Sequence, residues 1–209
     1  MNNHESTPIA GEFHTLQTQR WPAHGEHVMA HFDADAIVVY QAYRPSTGRW
    51  AIAHGQLGGP DFSFKRMSWI KPNFLWMMYR SGWGTKPGQE ITLGLRIRRP
   101  FFDRLLHEAV ASSFDAARHA SQEDWQRDVE ASDVRLQWDP DHAPDGAKLA
   151  RRAVQLGLRG DALRALATTE LVEVIDMSAF VEAQRAHALA AAPWPGLRTP
   201  IEHVYPLSA

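Results

Sequence analysis

Residues 64–84, FKRMSWIKPNFLWMMYRSGWG, combine two lysines and two arginines with three tryptophans, two phenylalanines and a tyrosine, and contain no acid. The guanidiniums of Arg66 and Arg80 are forked donors that match phosphate oxygens, and Lys71 adds a compact ammonium. Trp69, Trp76, Tyr79 and Trp83 offer flat faces on which a base or a nicotinamide ring stacks. A second stretch, VRLQWDPDHAPDGAKLARRAVQLGLR (134–159), contributes Arg151 and Arg152. Gln41, Gln137 and Gln155 fall within strand-like apolar runs, at positions where Val or Ile is expected. A buried amide must be hydrogen-bonded. Each glutamine therefore either satisfies nearby backbone or points into a cleft and holds a ligand.

Several other chemistries are excluded by residue type. The chain has no cysteine, so it has no disulfide, no thiol nucleophile and no sulfur-bound zinc. There is no phosphate loop of the GxxxxGK[ST] type, no GxGxxG, no HExxH and no GxSxG. The 11 histidines are scattered without metal-ligand spacing, so no metal site is expected. No run of 18 uncharged apolar residues exists, so no membrane span is expected. The start lacks the basic and apolar regions of a signal peptide, which makes the cytoplasm the expected location.

The formal net charge of −2 hides an asymmetry. Val38–Arg104 holds 11 Lys and Arg against 3 Asp and Glu, a balance of +8, while the remainder balances at −10. Such a field favours an anionic partner, a nucleotide or nucleic acid. The same asymmetry also arises if a basic face is neutralised by an acidic face of one fold. The aromatic run likewise has a plain reading as core, with cationic stems snorkelling around a buried helix.

Positioning these residues needs an α+β domain over 31–190, with an irregular arm at 1–30 and a Pro-rich tail at 191–209. Ala36–Ala42 (AIVVYQA) reads as a buried strand, RPSTGR as a turn and Trp50–His54 as a hairpin partner. Pro72 starts an apolar helix that stops at Gly82. Ile91, Leu93, Leu95 and Ile97 alternate with period two, a strand. Phe101–Phe114 switches to helical spacing. Asp133–Trp138 is a strand, DPDHAPDG a loop, and Arg151–Leu158 alternates again. Asp161 caps a short helix, Leu171–Ile175 forms a strand, and Ser178 caps a last helix through about Leu189. The count is five or six short mixed strands with three to four helices.

Several segments resemble a catalogued family. VYQAYRP, RMSWIKPNFLWMMYRSGWG, QEITLGLRI, RRAVQLGLRG and ELVEVIDMSAFV, in that order over about Ile37 to Gln184, resemble domain-of-unknown-function family 4291. More remotely, the order of elements resembles the split-sheet ADP-ribosyltransferase fold, most closely the DarT-type enzymes that modify DNA bases. That resemblance implies NAD as co-substrate and a nucleic acid or nucleotide as acceptor. It implies that Arg66 holds the pyrophosphate with Lys71 nearby, and that Gln41 with Tyr40 or Tyr43 frames the nicotinamide. Arg151 and Arg152, with Arg80 and Trp83, then face the second substrate.

The resemblance also puts Gln155 where the fold carries its catalytic glutamate. An amide holds a ribose hydroxyl but has no charge and is no general base. Either another carboxylate serves (Asp139, Asp141 or Glu90), or the chemistry tolerates an amide, or the site binds without turnover. Arg66 and Gln155 are the residues that would carry catalysis. The alternative function is a non-catalytic nucleic-acid-binding module with a basic, aromatic-lined cleft.

Overall fold

Two long strands expected from their patterns, Ala36–Tyr43 and Ile91–Arg98, form the centre of the protein in a computed structural model that describes residues 9–207. In chain order the elements begin β1 (Gly11–Phe13), α1 (His14–Gln17), β2 (Gly25–Glu26), β3 (Met29–Phe32), β4 (Ala36–Tyr43), α2 (Pro45–His54), β5 (Ser68–Ile70) and α3 (Phe74–Ser81). They continue with β6 (Ile91–Arg98), α4 (Arg99–Glu108), β7 (Val110–Ala111), α5 (Gln122–Ala131), β8 (Val134–His142) and β9 (Lys148–Leu158). The last are α6 (Gly160–Ala167), β10 (Leu171–Asp176), α7 (Ser178–Ala188), β11 (Arg198–Pro200) and β12 (His203–Val204).

The architecture is α+β in one domain. One sheet runs β10-β6-β4-β3-β12, antiparallel throughout. A second, mixed sheet runs β2-β9-β8-β7, with β5 added antiparallel to β9. β1 and β11 form a two-stranded ribbon. No helix among the described residues is long and apolar enough to cross a membrane.

β4 is buried on both faces, which is why its sequence is a continuous apolar run rather than an alternation. Ile37 and Val39 join Leu93, Leu95 and Ile97 of β6 and Val154, Leu156 and Leu158 of β9 in one core between the large sheets. Phe102 and Leu105 of α4 and Leu163 and Leu166 of α6 close it. Val38 and Tyr40, on the other face, pack against Phe74, Leu75, Met77 and Met78 of α3 in a second core. The aromatic run is thus largely core in its middle, as its apolar circumference requires.

Several expectations are corrected. RPSTGR and Trp50–His54 form one helix, α2, and not a turn and a strand. Pro45 presets its first turn, Gly55 ends it at φ 64°, and Gly48 lets it lie directly on Ile91, where a Cβ would sit 2.5 Å away. Residues 9–30 are not irregular: they carry β1, α1, β2 and β3, while the expected arm's first eight residues lie outside the described ones. The tail, through Leu207, adds β11 and β12 despite its prolines, because both are edge strands. Seven helices occur among the described residues, since short α1, α2 and α5 escape a reading based on apolar periodicity. DPDHAPDG is not all loop: β8 extends through His142, and only 143–147 turn. The helix expected to reach Phe114 stops at Glu108. Neither Asp161 nor Ser178 caps by its side chain; Asp133 accepts the Asp161 amide at 2.8 Å, and Met177 is the N-cap of α7.

The N-terminus of α3 is anchored by the tail. Asn73 caps it by accepting from the Trp76 amide at 2.7 Å. Buried Glu202 accepts from the Phe74 amide at 2.7 Å, and its own backbone holds Gln17 and Trp21. A helix N-terminus favours an anion there. Burial dominates nonetheless and pushes the Glu202 carboxyl up to about 8, against the lowering effect of the Phe74 amide.

Two predictions follow from this packing. The raised Glu202 pKa means that the folded state keeps a proton the unfolded state releases, so stability is lost as pH rises toward 8. Buried His14, lowered to about 4, acts in the opposite direction only below the ordinary histidine range. Between about pH 6.5 and 7.5 the Glu202 loss should outweigh the opposing gains from His14 at the lower edge and from Lys71, lowered to about 8, at the upper edge, and Glu202→Gln should remove the net loss in thermal melts across that range. Separately, a Cβ at Gly157 would lie 2.6 Å from the Met67 sulfur and 2.9 Å from the Trp69 ring. Gly157→Ala should destabilise by about 1–3 kcal/mol in denaturant melts, because β5 cannot then lie flat on β9.

Candidate functional site

A cleft of about 530 Å³ opens where the two large sheets are joined. The join is a pair of backbone hydrogen bonds, Tyr40 N–H to Lys71 O at 2.7 Å and Lys71 N–H to Tyr40 O at 3.2 Å. Just before it, β5 pairs Ser68, Trp69 and Ile70 with Leu158, Gly157 and Leu156 of β9. Segment 68–71 therefore bridges β4 and β9. Gln41 and Tyr43 continue the Ile37–Val39 row toward the edge of the first core; Tyr43 still packs against that core, and both residues line the cleft wall.

The polar side chains on the walls are oriented by their partners. Gln41 donates its amide N–H groups to Ser68 Oγ at 2.7 Å and Trp69 O at 3.2 Å, and its oxygen accepts from the Tyr43 hydroxyl at 2.6 Å. Burial raises the pKa of that phenol, so it remains a donor. Across the cleft Gln137 and Gln155 are direct cross-strand partners on β8 and β9. Both donate their amides to Asp139, at 2.9 and 2.7 Å. With their NH₂ groups turned to one carboxylate, the oxygens of Gln137 and Gln155 are left as acceptors.

Three cations line the same cleft: Arg66 in the loop before β5, Lys71, and Arg80 in the last turn of α3. None of their side chains makes a hydrogen bond or ion pair among the described residues. Arg66 and Arg80 are exposed, whereas Lys71 is only 4% exposed. Its ammonium lies 5.5 Å from the centre of the Trp76 ring. Burial first, and Arg80 second, pull the Lys71 pKa down to about 8, with Asp139 opposing. A buried ammonium without a counter-ion is costly, and the remedy available in a cleft is an anionic ligand.

Of the residues singled out in the sequence, Gln41, Tyr43, Arg66, Trp69, Lys71, Arg80, Gln137 and Gln155 line this cleft. Four others do not. Tyr40 faces the second core, edge-on to Phe74. Trp83 is buried after α3, with its indole N–H on Pro144 O at 3.0 Å. Arg151 is buried in an ion pair with Asp141, over the Trp21 ring. Arg152, its neighbour on β9, is exposed and donates to Trp138 O at 2.6 Å. Of the substitute carboxylates, Asp141 is committed to Arg151, and Glu90 turns back to the Gly88 amide. Asp139 alone contacts the site, through both glutamines.

Ser68, which the sequence does not single out, also lines the walls. The turn at 143–147 brings Gln137, one of the three glutamines the sequence singles out, opposite Gln155. The shift between Pro140 and His142 sets the final pairing. Among the described residues no three His, Asp or Glu gather as a metal site. Two comparisons complete this picture. No curated protein matches the chain. The family model described as Domain of unknown function (DUF4291) matches residues 27–205, so the chain belongs to that family.

Proposed function

We propose that this cleft binds NAD and that the protein is ADP-ribosyltransferase-like, transferring to a nucleic acid or a nucleotide. The observation that carries the reading is the convergence of Gln41, Arg66 and Gln155 on one cleft that also holds the unpaired Lys71. In this reading Arg66, Lys71 and Arg80 take the pyrophosphate, and Gln41 with Tyr43 frames the nicotinamide. The Gln155 oxygen accepts from a ribose hydroxyl.

In the transfer, the bond from ribose C1′ to the nicotinamide nitrogen breaks and its electron pair leaves with the nicotinamide, which becomes neutral. The acceptor nucleophile then bonds C1′ and gives up a proton. Positive charge develops on the ribose between these events. Gln155 alone supplies only a dipole, but the Asp139 carboxylate directly behind it adds the full negative charge that an amide lacks. The cytoplasm suits this reading, since it supplies NAD and asks for no disulfide of a cysteine-free chain.

Lys71→Met tests the reading. Losing a charge-assisted contact worth about 1.5–3 kcal/mol should weaken NAD binding about 10- to 100-fold by calorimetry. The same variant should melt higher, because an uncompensated buried charge is gone. If wild-type protein binds no NAD, and consumes none with DNA, RNA or nucleotides present, the reading fails.

A further inference from the structure

A second cavity, of about 240 Å³, lies against the first and shares Tyr43, Arg66, Met67 and Ser68 with it. Its other walls include Arg44, Thr47, Asp61 and Phe62. Arg44 and Thr47 belong to the start of α2, a ten-residue helix whose N-cap is Arg44 and which has no side-chain cap. Pro45 has no amide and the Gly48 amide bonds Arg44 O at 3.0 Å, so the Ser46 and Thr47 amides are the two left without an intrahelical partner or a capping oxygen.

Two further observations make this more than a helix end. Thr47, which lines the cavity, is only 4% exposed, yet its hydroxyl makes no hydrogen bond among the described residues. Arg44 is exposed, and its guanidinium likewise has no partner among them. Uncapped amides, a helix dipole, a free hydroxyl and a free guanidinium are together the donor set of a phosphate site. Phe62, half-buried between Tyr43 and Phe64, adds an aromatic face. Asp61, also unpaired, adds an acceptor for an amino-bearing base.

We infer that the second cavity is a nucleotide subsite, with the phosphate at the start of α2 and the base against Phe62 and Asp61. The shared wall at Arg66 would put this nucleotide beside the ligand of the first cleft, in the acceptor's place. That role rests on the transferase reading; the binding itself does not. The phosphate belongs either to a free nucleotide or to a nucleic-acid strand, which present the same chemistry.

The test measures AMP, a short single-stranded oligonucleotide and NAD by calorimetry on the full chain. Wild type is compared with Arg44→Ala, Thr47→Val and, as a first-cleft control, Lys71→Met, each checked by melting. AMP affinity should drop at least tenfold in Arg44→Ala and about threefold in Thr47→Val, and stay within twofold in Lys71→Met. NAD affinity should stay within twofold in Arg44→Ala. Tighter Arg44-dependent binding of the oligonucleotide than of AMP assigns the phosphate to a strand, and the reverse assigns it to a free nucleotide. Arg44-dependent AMP binding without any NAD binding keeps the subsite and removes the transferase reading. AMP binding lost in Lys71→Met but kept in Arg44→Ala overturns the subsite, as does absence of AMP and oligonucleotide binding to wild type.

Discussion

The paired backbone hydrogen bonds between Tyr40 and Lys71 are the constraint on which the cleft depends. They hold the segment after β5 against β4 while β5 itself lies on β9, so a single short stretch spans two sheets. Because Tyr40 precedes Gln41, the same contact sets Gln41 beside Ser68 and Trp69. It also commits Lys71 to the interior: the backbone is fixed, so the ammonium has to lie in the cleft or against Trp76. Glycine at 157 permits the close approach of β5, and the Asn73–Glu202 cap holds the start of α3 just beyond Lys71.

Two sets of charged groups differ in how far they are satisfied. Arg151 and Asp141 are paired, and Glu202 is buried among donors with its pKa raised into the neutral range. That set ties residues 17–22 and Glu202 to the start of α3 and to β9, and it needs nothing from outside. Lys71, with Arg66 and Arg80, is the opposite case: cations share one cavity with a single nearby carboxylate, which two glutamines occupy. Local rules of satisfaction are characteristically broken at functional sites, at some cost in stability. The contrast explains why Arg151, equally prominent in the sequence, has a structural task while Lys71 is left open.

Much of this was legible in residue patterns. The buried strand at Ala36, the alternation at Ile91–Ile97 and the apolar helix after Pro72 are where periodicity places them, and Gln41 and Gln155 do interrupt apolar runs at a cleft. What was not legible involves contacts between distant segments. Tyr40 and Gln41 differ in fate only because strand alternation sends one into the α3 core and the other past the end of the first core. Arg151 and Arg152 look equivalent in RRAVQ, yet adjacent residues on a strand face opposite ways. α2 was missed because Thr47, Gly48 and Ala51 bury small side chains, which leave little apolar signature. Asp139 gained its importance from hairpin register, which depends on an irregularity near Pro140 that no local rule announces.

The central claim is that Lys71 is a buried, unpaired ammonium awaiting an anion. Its titration can be followed directly by heteronuclear NMR of the side chain, with Lys71→Met to assign the signal. The account predicts a pKa near 8 in the free protein, as burial requires, and a rise toward the ordinary lysine range when NAD is added. A Lys71 that already titrates like an exposed lysine in the free protein, or whose pKa does not rise when NAD is added, would contradict it.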